Sequence, residues 1–304
     1  MAIEAPRPWF APSASPRAAA PLAESDAVAR VPTGVPDFDH FSRGLPAGSV
    51  VLLIGEAGAG HLEFALTSAV HMMFHYDDPD LHQFYLGSTK GPFTYPKGVA
   101  YVSISRSKDQ VLQELAGSFE PSYHDVLARH MSFFDLSPSY FADSVVPSEW
   151  ASVPSPLLGG KGPAARAGGP LGALADALES GGPDNLVIVD SLTDLLVRRG
   201  VDAEELLTLI KGLRRRSKAW GGLTYLVLSK GVAPSATEQA LYDSVDGVLS
   251  FTWSSSPLHT HRRRTMLIEK FLPVFTRLPA EHHGRFVLQV DDLNGLVTTQ
   301  YERI

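Results

Sequence analysis

The chain has 304 residues, 44% of them hydrophobic and 19% charged, which is enough apolar material for one large core or two modest ones. Its net charge of −7 offers no global attraction to nucleic acid, and the absence of cysteine excludes disulfides, thiolate catalysis and cysteine-ligated metals. With no apolar run of about 18 residues and no apolar leader segment, the sequence predicts a cytoplasmic protein without membrane contact.

Residues 1–28 carry Pro6, Pro8, Pro12, Pro16 and Pro21 among Ala and Ser, a composition that buries little and predicts a disordered tail. A single domain is expected over 29–304. Its first strong signal is Val50 to Ile54, five apolar residues suited to a strand buried on both faces, followed by the Gly-rich turn Gly55-Glu56-Ala57-Gly58-Ala59-Gly60-His61-Leu62 and a helix from Leu62 to about Tyr76. Gly55 and Gly60 have the spacing of a G-x-x-x-x-G-K-[ST] phosphate loop, but His61 stands in the place of the phosphate-binding Lys and Leu62 in that of the magnesium-ligating Ser or Thr. Backbone amides at a helix N-terminus survive any side-chain change, so the cradle can still hold an anion. His is shorter than Lys and largely neutral at pH 7, and Leu offers magnesium nothing, so efficient phosphoryl transfer is not expected. A G-x-G-x-x-G dinucleotide loop fits worse, because Glu63 takes the third glycine's place. His71 and His75 lie four apart on the helix, but without an H-E-x-x-H carboxylate they read as packing or surface residues, and no metal site is expected.

The surroundings of this loop carry a resemblance. Thr33-Gly34-Val35-Pro36, Phe38-Asp39 and Gly44-Leu45-Pro46-Ala47-Gly48-Ser49, leading into the strand and loop, resemble the KaiC/RadA-like branch of the RecA superfamily, and the likeness extends over most of 31–304. It implies a three-layer α/β fold with a mainly parallel sheet and antiparallel C-terminal hairpin strands, as the alternation of strands and helices also does.

Residues 77–97 are polar and rich in Pro, Gly and Asp, and read as a loop insertion. A strand is expected over 98–104, and Ser107 with Gln110 forms a capping box ahead of a helix. In relatives this strand ends in acidic residues, one of which activates water; here the matching positions are Ser105 and Arg106, neither of which replaces a carboxylate base. A further strand is expected over 131–136, and 137–170 reads as a second loop insertion with Trp150 as its large anchor. After a short helix over 171–179, Leu186 to Val189 ending in Asp190 match the family's Walker B strand, where Asp190 would orient magnesium-bound water; the alternative is an acidic strand end capping the next turn.

Asp202 caps a helix through about Lys218 whose basic end, Arg214 to Arg216, is expected to be a solvated terminus. A strand over 223–228 places Ser229 and Lys230 where relatives sense the terminal phosphate. Asp246-Gly247-Val248 steps into another strand, and Arg262, Arg263 and Arg264 open the closing hairpin, whose basic residues in oligomeric relatives reach the neighbouring subunit's nucleotide; surface charge is the equal alternative. A last hairpin pairs 286–290 with 296–299.

The resulting expectation is a catalytically degenerate RecA/KaiC-like protein: a regulatory or scaffold subunit, in signal transduction as for inactive archaeal members, that binds ATP or ADP weakly or not at all, with little use for magnesium, and that associates with itself or a protein partner. The alternatives are a working ATPase in signalling or DNA transactions, and a nucleic-acid-binding module using Arg214 to Arg216 and Arg262 to Arg264.

Overall fold

In the computed structural model, residues 29–86, 92–142, 144–147, 150, 169–254, 262–275 and 284–303 are described. The expected tail and most of the 137–170 insertion lie outside these residues.

A short ribbon, β1 (Arg30–Val31) paired with β2 (Leu45–Pro46), brackets helix α1 (Pro36–Ser42). The Thr33-Gly34 turn between them is held by Asp39, whose carboxylate accepts the Thr33 and Gly34 amides and the Thr33 hydroxyl within 2.9 Å in a fully buried site. From here the chain enters the central sheet at β3 (Ser49–Gly55), all seven residues of which are buried. The strands that join it are β4 (Val99–Ser103), β5 (Met131–Asp135), β6 (Leu186–Asp190), β7 (Leu223–Ser229), β8 (Gly247–Ser254), β9 (Arg263–Lys270), β10 (Gly284–Asp291) and β11 (Gly295–Arg303). Their order across the sheet is β11-β10-β9-β8-β3-β7-β6-β4-β5. From β8 to β5 all neighbours run parallel, and β9 to β11 add antiparallel strands at one end.

Period-two alternation splits the apolar strand residues between two cores. Val51, Leu53, Tyr101 and Ile188 face a cluster built with α2 (His61–Asp77), α4 (Lys108–Ser118) and α5 (Pro121–His130). Leu52, Ile54, Val102 and Val189 face another, built with α7 (Gly169–Gly181), α8 (Leu192–Val197), α9 (Ala203–Trp220) and α10 (Ser235–Ser244). Helices thus cover both faces, which is why the central strands are continuously apolar. The short helices α3 (Pro79–Leu86), α6 (Ser137–Phe141) and α11 (Leu272–Phe275) complete the set. Among the described residues, no helix is long and apolar enough to cross a membrane.

Three expectations are corrected. The 77–97 stretch is not all loop: Asp78 Oδ1 accepts the amides of Asp80 and Leu81, Pro79 starts the helix, and Tyr85 and Leu86 are buried, so α3 forms. The segment expected as loop from 137 begins with α6, and its far end, at 169 and 170, already belongs to α7. The basic end of α9 is also not merely solvated. Arg214 and Lys218 both pair with Asp246, at 2.8 and 2.7 Å, and Arg216 pairs with Glu179 at 2.8 Å. Asp246 also accepts the Val50 amide, so this trio fixes α9 to the start of β3. Burial alone would raise the Asp246 carboxyl, but Lys218, the Val50 amide and Arg214 together hold it below the usual aspartate range.

Candidate functional site

The carboxyl ends of β3, β4, β6 and β7 converge, because Gly55 is in register with Ser229 and Ser103 with Asp190. Open α/β sheets place their ligand sites at such strand ends. The loop 55–60 emerges there and delivers its amides to the N-terminus of α2, a helix of 17 residues.

The Gly frame has a conformational reason. Gly58 and Gly60 have φ of 70° and 111°, and a Cβ on Gly60 would stand 3.0 Å from Leu296 Cδ1. Ala59 N–H donates to Glu56 O at 3.0 Å, and the Phe64 amide bonds Gly60 O. No acceptor among the described residues takes the amides of Gly58, Gly60, His61 or Leu62, which leaves four donors free at the N-terminus of α2, where helices can receive an anion.

His61 adds no charge there. Its ring folds back on Gly55, so that a Cβ at Gly55 would run into it, and its buried Nδ1 has no hydrogen-bond partner. Burial lowers its pKa below the ordinary value, although Glu63 and Asp190 act in the opposite direction. Leu62 presents no oxygen, as its side-chain chemistry dictates.

Asp190, at the end of β6, is occupied by neighbours that sequence spacing alone could not bring together. Tyr101 donates its phenol O–H to Asp190 Oδ2 at 2.6 Å, and the Arg106 guanidinium lies 3.1 Å from the same oxygen. Arg106 also bonds the Tyr101 oxygen at 3.2 Å and Glu114 at 2.7 Å. Burial and the adjacent Asp190 push the Tyr101 phenol well above its ordinary pKa despite Arg106, so it is a proton donor in this contact at all ordinary pH. Ser105, the other residue at the position of the expected acid pair, donates to Asp194 at 2.9 Å. Burial raises the Asp194 carboxyl against that hydrogen bond, with Asp190 adding to the rise.

The sensor positions are tied to the frame through backbone. Ser229 N–H donates to Thr193 Oγ1 at 2.8 Å and Lys230 N–H to Gly55 O at 2.8 Å, leaving the Lys230 side chain exposed. On the hairpin side, Arg264 Nε donates to Gly58 O at 2.8 Å and Trp253 Nε1 to Ala57 O at 3.0 Å. Arg262 is exposed and stands over the Trp253 ring at 5.1 Å, with Arg264 at 4.8 Å. Arg263 is half-buried and lies on the opposite face of β9. Of the three arginines, then, Arg264 reaches the phosphate loop of its own chain. Tyr101 and Trp253 had no sequence signal of their own; Arg106 had one, a cation where a carboxylate was expected.

A Gly-rich loop after the first long strand, a mainly parallel sheet with helices on both faces and an antiparallel C-terminal end define a three-layer RecA/KaiC-like P-loop fold. A crystal structure of a KaiC-like protein from the hyperthermophilic archaeon Pyrococcus horikoshii is similar over 90% of this chain and 100% of its own, with a TM-score of 0.59 and 17% identity. No protein-family model matches the chain, and no curated protein matches it in sequence.

Proposed function

We propose that this chain is a non-hydrolysing RecA/KaiC-like protein, a regulatory or scaffold subunit whose degenerate phosphate loop holds ATP or ADP weakly, without help from magnesium. The observation that carries this reading is the Arg106–Asp190 ion pair. The carboxylate that would order a magnesium-bound water is turned to an internal guanidinium and a phenol. A divalent cation approaching it would meet a fixed positive charge. The same Arg106 stands where a carboxylate base would be needed, Leu62 supplies no metal-ligating hydroxyl, and His61 supplies no charge at neutral pH. Three substitutions at two strand ends, His61 and Leu62 after β3 and Arg106 after β4, remove the lysine, the metal ligand and the base, while the backbone cradle remains. A role in signal transduction, as a subunit that associates with itself or a protein partner, fits a fold kept without its chemistry.

Phosphate release from ATP by the purified protein, with and without magnesium, tests this. No release above the no-enzyme rate is expected in either case. Magnesium-dependent release that disappears in Asp190→Asn would overturn the reading and favour a working ATPase.

A further inference from the structure

The phosphate loop of this chain lacks what usually orders one, because His61 points back at Gly55 and Leu62 holds no metal. Yet the loop is held firmly from its outer side. Four hydrogen bonds reach it from β8 and β9: Glu56 N–H to Phe251 O at 3.0 Å, Trp253 N–H to Glu56 Oε2 at 3.2 Å, Trp253 Nε1 to Ala57 O at 3.0 Å and Arg264 Nε to Gly58 O at 2.8 Å. Trp253 and Arg264 are register partners on adjacent antiparallel strands, so the guanidinium stacks over the indole and both side-chain donors are anchored on paired strands.

We propose that Trp253 and Arg264 are positioning residues of the phosphate loop, acting within one chain: by drawing the Ala57 and Gly58 carbonyls outward, they set the loop's amides for a phosphate-bearing ligand that enters without a metal. The physical step is the planarity of the peptide. Its C=O and N–H point in opposite directions, so holding the Ala57 carbonyl against the indole turns the Gly58 N–H to the other side, into the loop. The outward pull on the Gly58 carbonyl likewise directs the Ala59 N–H inward, where it closes the turn on Glu56 O and fixes the curvature. A Cβ on Gly60 would stand 3.0 Å from Leu296 Cδ1, so β11 packs against the loop beside the β8 and β9 strands that supply the donors. An arginine that the resemblance implied would reach a neighbour is therefore committed in cis, and the loop's order does not depend on a second copy. The ligand half of this inference rests on the metal-free cradle proposed above; the clasp itself does not.

Hydrogen exchange of the full-length protein, read on peptides covering 55–62, separates the two. Trp253→Phe keeps the ring and loses the N–H; Arg264→Gln loses the charged donor and Arg264→Lys keeps a charge. Loss of one such hydrogen bond is expected to speed exchange of the hydrogen-bonded loop amides, those of Glu56 and Ala59, about tenfold in Trp253→Phe and Arg264→Gln, less in Arg264→Lys, with the rest of the protein unchanged. Calorimetry with ADP in the absence of metal is expected to show about tenfold weaker binding in the first two variants. Unchanged exchange at 55–62 in both variants overturns the clasp, and ADP affinity that ignores a loosened loop, or no ADP binding by the wild type, overturns the positioning role. Magnesium-dependent turnover by the wild type would instead overturn the proposed function and leave the exchange signature standing.

Discussion

Replacing Arg106 by Met removes the guanidinium while keeping most of its apolar stem. The Asp190 side chain is only 11% exposed and Arg106 28%, and their charged atoms lie 3.1 Å apart. At an effective dielectric near 20 the direct attraction is about 5 kcal/mol, before the cost of desolvating both groups. Breaking a buried pair by removing one partner typically costs about 3–5 kcal/mol, because a buried charge is left uncompensated. Here solvent reaches Arg106, and Tyr101 continues to donate to Asp190, so a loss of about 2 kcal/mol is expected. The exposed contact to Glu114 adds less than about 1 kcal/mol. Asp190→Asn should cost less, since Arg106 retains Glu114, and the double variant should be less destabilised than the sum, with a coupling of roughly 1–3 kcal/mol. Urea unfolding at pH 7 with a constant slope measures all three. Additive effects, or a loss under about 0.5 kcal/mol for Arg106→Met, would refute the idea that a built-in cation replaces the metal here. Arg106→Glu makes the converse test: it crowds carboxylates at one strand end, so millimolar magnesium should raise the melting temperature of that variant and not of the wild type.

His61→Lys with Leu62→Thr should raise affinity for ADP in magnesium by tenfold or more, since one charge-assisted hydrogen bond contributes about 1.5–3 kcal/mol; calorimetry reads this, and unchanged affinity would mean that the cradle is closed. Asp246→Asn releases Arg214 and Lys218 from a site whose carboxylate side chain is 13% exposed, and should cost about 2 kcal/mol in urea unfolding. Because the folded pKa of Asp246 is depressed, its contribution is fully present above the ordinary aspartate pKa and is lost as pH falls through the folded value, so the wild-type advantage over Asp246→Asn should shrink in acid. Two of the three residues of the Arg214 to Arg216 cluster are engaged in ion pairs, so binding to duplex DNA should be weak and no stronger than that of a variant with Ala at Arg262 and Arg264; a steep salt dependence lost in that variant would favour the nucleic-acid module.

The central strands were legible because burial on both faces leaves an unbroken apolar run, as in Val50 to Ile54 and Leu186 to Val189. The capping box at Ser107 and Gln110 also announced α4, and both of its hydrogen bonds form. Helix α5 was not legible: Glu120-Pro121 looks like a break, whereas Pro at the first position starts a helix whose Tyr123, Val126 and Leu127 are buried. Helix α3 hid in the same way behind Asp78-Pro79. At the candidate site, the glycine frame and the presence of His61, Leu62 and Arg106 where the family pattern has other residues could be read directly. The contacts around them could not, because Arg106 meets Asp190 only through the pairing of β4 with β6, and Trp253 meets Ala57 from 196 residues away. Side-chain partners across a sheet depend on strand order, which local patterns do not encode.

The most direct measurement is the affinity of the wild-type protein for ADP, titrated by calorimetry with magnesium and again with excess chelator. A site whose Asp190 carboxylate is already paired with Arg106 predicts weak binding with the same Kd in both series. Binding that tightens severalfold with magnesium and loses that gain in Asp190→Asn would contradict it, by showing that the carboxylate leaves its arginine to take up the ion.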